Sequence, residues 1–115
     1  MNVNFKVFLD SNIVVYAQSD DGRKTEIAMT LLNDHPVIST QVINEAYNVF
    51  TKKKILSVEQ ARTFAHLWLE TTDVEPLTSE TVRKAFELSE RYYLSHWDSI
   101  IVAAALLADC TNFIE

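Results

Sequence analysis

Apolar residues along the chain recur at two different spacings, and the changes from one to the other mark out short strands and longer helices. The stretch "VNFKVFLD", residues 3–10, alternates and then turns wholly apolar, as a strand running into a core does. Asn12 is placed to cap a short helix through Gln18. After "SDDG", the stretch "KTEIAMTLLND" has apolar residues at helical spacing, and "HPVIST" reads as a second short strand. A helix is predicted over Thr40 to Lys53, and another over "VEQARTFAHLWLE", with Ser57 and Gln60 spaced as a capping box. "DVEPL" reads as a third strand, "TSETVRKAFELSERYY" and "WDSIIVAAALLADC" as two further helices, and "TNFIE" as a final strand. Strands separated by helical segments, without hairpin turns between them, predict an α/β fold in three layers, a short parallel sheet flanked by helices on both faces.

Composition narrows this picture. The 115 residues are 48% hydrophobic and 23% charged, with one glycine, two prolines and no repeat or linker, so a single globular domain spanning residues 1–115 is expected. The longest apolar run, nine residues from Ile100 to Ala108, is too short to cross a bilayer, and the first ten residues lack the pattern of a secretory leader. Cys110 is the only cysteine, which rules out an intrachain disulfide and a cysteine zinc cluster. The expectation is a soluble, cytoplasmic protein with no membrane partner and with Cys110 packed in the core. A net charge of −6 discourages non-specific phosphate binding, and the one basic cluster, Thr51 to Lys54, reads first as the solvated end of a helix.

In open parallel sheets, chemistry gathers at the carboxyl ends of the strands. Asp10 directly follows the apolar "VFL" and sits at such an end. Glu45 lies in the second turn of the helix starting near Thr40, about 7 Å along its axis from the same edge. It borders the apolar stripe beside Val42 and Val49, away from Asn44, Asn48 and Thr51. Asp98 opens a helix that is apolar on nearly every side, so its carboxylate emerges at the same edge, where the helix dipole favours negative charge. Each acid also has a structural use: Asp10 as the cap of a turn, Asp98 as the last member of an S-x-x-D capping box from Ser95, Glu45 as a solvated helix residue. Carboxylates about 4 Å apart repel by roughly 4 kcal/mol per pair at an effective dielectric near 20, so a cluster of them must take up protons or a cation. Oxygen ligands select a hard ion, Mg²⁺ or Mn²⁺, suited to phosphodiester hydrolysis, and the ion would recruit phosphate to an acidic protein. Asp109 is nearly in phase with Asp98 but about 16 Å further along the helix, too far to share an ion. Asp20, Asp21, Asp73 and Glu75 read as surface charge. His35, His66 and His96 lack ligand spacing, with His96 expected to point to solvent.

The motifs "FLDSNIVVY", "STQVINEAYNVF" and "HWDSIIVAAALLADC", in that order, resemble those of the PIN-domain family, in particular the VapC-type toxin ribonucleases of toxin–antitoxin pairs, across essentially the whole chain. The resemblance implies that Asp10, Glu45 and Asp98 are metal-binding, catalytic acids and that Ser11 helps by hydrogen-bonding the site. It implies Mg²⁺- or Mn²⁺-dependent endonucleolytic cleavage of RNA, with tRNA a common target, a homodimer, and a small antitoxin whose C-terminal segment plugs the acidic groove. In that family a fourth acid usually follows the final strand, one residue beyond Glu115 if "NFIE" aligns with that segment. Glu115 is then the possible substitute, and the C-terminal end is expected to be shortened.

Two other readings follow from the same residues. A catalytically impaired PIN-fold protein would bind antitoxin or RNA without cutting. A phosphoryl-transfer protein would use Asp10 as nucleophile, but Asn12 stands where a haloacid-dehalogenase-like site needs a second aspartate, and neither the acidic pair nor the lysine of a receiver domain is present.

Overall fold

Residues 6–20 and 22–115 are described by the structure, a computed structural model. The predicted order of elements is present: β1 (Val7–Leu9), α1 (Ser11–Ala17), α2 (Arg23–Leu32), β2 (Val37–Ser39), α3 (Thr40–Lys52), α4 (Val58–Thr71), β3 (Asp73–Glu75), α5 (Ser79–Tyr92), α6 (His96–Leu107) and β4 (Asn112–Ile114). Residues 3–5 of the predicted first strand lie outside the described residues. The four strands form one wholly parallel sheet in the order β3-β2-β1-β4, flanked by helices. The chain builds outwards from β1 to β3 on one side, and β4 then returns to the other flank of β1. The strand order therefore reverses at β1, which opens a crevice outside the carboxyl ends of β1 and β4.

Local sequence explains how each helix begins and ends. Ser57 and Gln60 make both bonds of the expected capping box on α4, and Thr78 and Thr81 make the equivalent pair on α5. Ser39 caps α3 through the Val42 amide. At the far end of α3, Lys54 has φ 54° and its amide bonds Thr51, while the Ile55 amide bonds Phe50. The same pair of bonds closes α6, from Asp109 (φ 57°) to Leu106 and from Cys110 to Ala105. Both are Schellman closures in which a residue with a side chain takes the left-handed position usually given to glycine. Asp109 thus ends a helix in solvent, as expected of it.

The core forms where the sheet meets its helices. Phe8 and Leu9 point to opposite faces of β1 and both are fully buried. On one helix, Val42, Ile43, Ala46 and Phe50 form the buried stripe of α3, and Phe50 stacks on Trp68 of α4. On α6, Ser99, Ala103 and Ala104 are buried, and these small side chains let the helix pack closely against its surroundings. Ala85 and Leu88 of α5 join Ile100 and Ala103 of α6 in a second, smaller cluster, which fixes where the α5–α6 turn stands over the sheet edge. Cys110 is half-buried and packs against the main core.

Candidate functional site

The crevice is built from β1 outwards. Because α1 starts directly after the strand, the residue that caps it is Asp10 and not Asn12, which is exposed. Asp10 Oδ1 accepts from the Ser11 amide at 2.7 Å and lies 3.4 Å from the Ser11 hydroxyl. Its own amide donates to the Ile114 carbonyl at 2.9 Å, continuing the ladder in which Leu9 pairs with Ile114. That bond sets Glu115 beside Asp10, at the end of the adjacent strand.

Across the crevice stands the first turn of α6. Ser95 Oγ accepts from the Asp98 amide at 3.1 Å, which is one half of the capping box anticipated for this pair. The Asp98 carboxylate borders a cleft of about 140 Å³ lined by Asp10, Leu94, Asp98, Ile101, Val102, Phe113 and Glu115. Three of the sequence-predicted acids, Asp10, Asp98 and Glu115, therefore share one cleft.

Glu45 is not among the residues that line this cleft. It is half-buried on α3 and accepts from Gln41 Nε2 at 2.9 Å. Its charge nevertheless reaches Asp10. Burial is the main cause that lifts the Asp10 carboxyl above its ordinary value of 3.8; the Ser11 amide opposes this, the Glu45 carboxylate adds to it, the Ser11 hydroxyl opposes it, and Glu115 adds to it. Ser11 is accordingly the group that favours the ionised acid, and the two glutamates are the groups that disfavour it.

The donor set fits a hard divalent ion, since it consists of carboxylate oxygens whose mutual repulsion such an ion relieves. Among the described residues, no three His, Cys, Asp or Glu side chains close into a ready-made cage. An ion of the Mg²⁺ type needs no such cage: it is commonly held by one or two carboxylates and keeps several waters. Asp10, Asp98 and Glu115 would hold it from the cleft lining, and Glu45, whose charge reaches Asp10, would hold it from α3.

Two residues near the site differ from, or were missed by, the reading of the sequence. His96 is half-buried at the surface: it stacks on Phe86, with ring centres 5.1 Å apart, and packs against Trp97, both of them exposed. Gln41 was not singled out, although the i,i+4 spacing of Gln41 and Glu45 on a helix is a legible signal for the bond they make.

The chain belongs to the PIN domain family, whose model matches residues 7–114. Its fold is shared with solved VapC and toxin–antitoxin structures. VapC20 of Mycobacterium tuberculosis, a sarcin-ricin loop cleaving toxin, matches with a TM-score of 0.74 at 18% identity, over 94% of this chain and 87% of that one. A toxin–antitoxin complex from Klebsiella pneumoniae matches with a TM-score of 0.72 at 18% identity, over 93% and 83% of the two chains. VapBC2 from Rickettsia felis, bound to a DNA fragment from its promoter, gives a TM-score of 0.69 at 19% identity, over 94% and 85%. At these identities the likeness is one of fold. Among curated proteins, none matches the chain.

Proposed function

We propose that this protein is a Mg²⁺- or Mn²⁺-dependent endoribonuclease, the toxin of a type II toxin–antitoxin pair, with Asp10, Glu45 and Asp98 as its metal-binding acids. The observation that carries the proposal is the gathering of Asp10, Asp98 and Glu115 in one cleft at the point where the strand order of a PIN fold reverses. Glu115 serves as the fourth acid.

A bound divalent ion supplies the activation of water and the neutralisation of charge that phosphodiester hydrolysis requires. The chain's own residues prepare the place for it. The Ser11 amide and hydroxyl hold Asp10 in one orientation and favour its ionised form. The N-terminus of α6, capped by Ser95, favours negative charge at Asp98. Leu94, Ile101, Val102 and Phe113 give the cleft apolar walls, which lower the local dielectric and strengthen each charge–charge interaction inside it.

RNA is the substrate this site suits. Tyr92, Tyr93 and Trp97 are 59%, 94% and 67% exposed on the turn and helix start that bring Leu94 and Asp98 to the cleft. Exposed rings stack on unpaired bases, the part of structured RNA that proteins read most readily. A tRNA or another folded RNA with an open loop is the expected target. The likeness to toxin–antitoxin complexes supports an antitoxin partner; the family resemblance extends the proposal to a small antitoxin whose C-terminal segment enters the acidic groove and to a homodimer of toxin chains. No helix among the described residues is long and apolar enough to cross a membrane.

Incubating the purified chain with folded RNA and Mg²⁺ or Mn²⁺ tests the proposal. Cleavage is expected, and Asp98→Asn is expected to slow it by at least about a hundredfold, since a carboxylate that holds the ion is lost. That Glu45 is not among the residues lining the cleft favours one second reading, a PIN-fold protein that only binds antitoxin or RNA. A wild-type chain that binds antitoxin but cuts no RNA with either ion would establish that reading instead.

A further inference from the structure

Aromatic side chains at the surface are gathered in one region of the molecule. Among the described residues, the exposed large aromatic side chains are Phe86, Tyr92, Tyr93, Trp97 and Phe113, while those exposed elsewhere, such as Ile27, Met29, Val58 and Leu67, are not aromatic. Phe113 lines the acidic cleft itself. The other four lie on α5, on α6 and in the turn between them, the same turn that brings Leu94 and Asp98 to that cleft.

His96 joins two of these rings into a row. It stacks on Phe86 at 5.1 Å, with the planes 21° apart, and meets Trp97 at 5.7 Å. Helix phase sets where the row runs. His96 shares a face of α6 with Ile100 and Ala103, which cluster with Ala85 and Leu88 of α5. Trp97 is about 100° further round the helix and Asp98 about as far again, so the row starts at the α5 contact and ends one residue from an acid of the cleft. In spite of the stacking, Phe86 stays 57% exposed and Trp97 67%. Rings that served packing alone would be covered; these keep most of their surface open to another flat ring.

A base of unpaired RNA is that ring. Every base has a π-face, whereas a protein partner is met as well by aliphatic side chains, and Leu94 is the one exposed large side chain of that kind between residues 86 and 97. Arg83, one turn before Phe86 on the same side of α5, is exposed and makes no ion pair among the described residues, so it is available to a phosphate. Glu90, one turn after Phe86, is exposed too, which leaves the Arg83 end as the one that favours the RNA backbone.

We propose that the Phe86–His96–Trp97 row is a base-binding subsite, on which an unpaired purine beside the cleaved phosphate stacks, and that His96 is the positioning residue that holds the two exposed rings in line. This rests on the ribonuclease reading above. A purine is the better occupant because its fused rings cover more of the row than a pyrimidine does.

The test is steady-state cleavage of single-stranded RNA oligonucleotides with Mn²⁺, together with the fluorescence of an uncleavable analogue that carries 2-aminopurine, which stacking quenches, next to the bond. Phe86→Leu keeps an apolar side chain without a flat face, and Phe86→Tyr keeps the face. In Phe86→Leu, KM is expected to rise about tenfold with kcat unchanged, the loss of one stacked base held equally in the ground and transition states, and the quenching is expected to weaken. Phe86→Tyr is expected to match the wild type. At His96, His96→Leu is expected to repeat the effect of Phe86→Leu and His96→Phe to restore wild-type values, because the row uses the imidazole as a ring. Leucine variants with wild-type KM and quenching overturn the proposal. Loss of antitoxin binding in Phe86→Leu with KM for RNA unchanged assigns the row to the protein partner and overturns it too. Should the leucine variants not fold, the wild type alone decides: cleavage severalfold faster beside an unpaired purine supports the subsite, and equal cleavage beside purines and pyrimidines overturns it. A wild type that neither binds nor cuts RNA removes the ribonuclease reading and this inference with it. A wild type that cuts RNA, beside leucine variants that cut it equally well, removes this inference alone.

Discussion

Asp10 has two roles that conflict, and the conflict can be measured. As the cap of α1 its carboxylate is satisfied by the Ser11 amide at 2.7 Å, yet burial and the neighbouring glutamates raise its affinity for a proton above the ordinary value of 3.8. The folded chain therefore holds that proton to higher pH than the unfolded chain does. Below 3.8 both states are protonated; as pH rises from there through the raised folded value, the folded state loses stability relative to the unfolded one, and it stays lowered at neutral pH. Replacing Asp10 by Asn keeps an acceptor for the cap and removes the charge. The metal-free Asp10→Asn variant is expected to melt a few degrees higher than the wild type at pH 7, and the difference is expected to shrink as the pH approaches 3.8. Melting curves across that range check it. A variant that melts lower at pH 7 would show that the carboxylate is needed for the cap more than it is resisted by its neighbours.

Among the elements, the start of α6 links stability to the site, while the start of α4 does not. Ser95 caps α6 through the Asp98 amide, and Ser57 caps α4 through the Gln60 amide, neither of these α4 residues lining the cleft. Each serine replaced by alanine is expected to cost about 1 kcal/mol of stability. Ser95→Ala is expected to slow RNA cleavage as well, because it loosens the turn that aims Asp98, whereas Ser57→Ala is expected to leave the rate unchanged. Denaturant melts and cleavage rates on the two variants separate the effects. The same elements show what the sequence made legible. Capping signals and apolar spacing located all six helices to within a few residues, because those signals act between near neighbours. The placement of Asp10 and Asp98 at one edge was legible for a similar reason: each lies at a boundary between elements. What was not legible depends on packing. The cap of α1 passed from Asn12 to Asp10 because the helix follows β1 with no intervening loop. His96 is partly covered because Phe86 of α5, itself exposed, offers it a ring to stack on, a contact fixed only by how α5 and α6 cross. Glu45 is absent from the cleft lining, and its orientation follows from the buried stripe of Val42, Ile43, Ala46 and Phe50 that sets the rotation of α3.

For the whole molecule the difficulty is charge. Ten basic and sixteen acidic residues give a net −6, and the candidate cleft collects acids, so the chain as a whole repels the polyanion it is proposed to cut. Two sources of affinity remain, the divalent ion at the acids and base stacking on Tyr92, Tyr93 and Trp97. Neither depends on releasing many counterions from the RNA. The affinity for an uncleavable RNA analogue is therefore expected to fall only gently with monovalent salt, with a log–log slope shallower than about −3, in contrast to the steep slopes of basic proteins that neutralise many phosphates. Trp97→Ala is expected to weaken binding by about 1–3 kcal/mol with the slope unchanged, as loss of a stacking platform does. Chelating the divalent ion is expected to weaken binding of the wild type further, because the acids then face the phosphates unscreened. Fluorescence anisotropy titrations at several salt concentrations, with and without Mg²⁺, measure all three effects together. A slope near −6 would require about seven to nine cations to meet phosphates, which is most of the ten in the chain, including Lys52, Lys53, Lys54 and Arg62, on and after α3 and on α4, as well as Arg83, Lys84 and Arg91 of α5. In that event phosphate contacts spread over several elements would carry the binding, and Trp97→Ala would leave the affinity nearly unchanged.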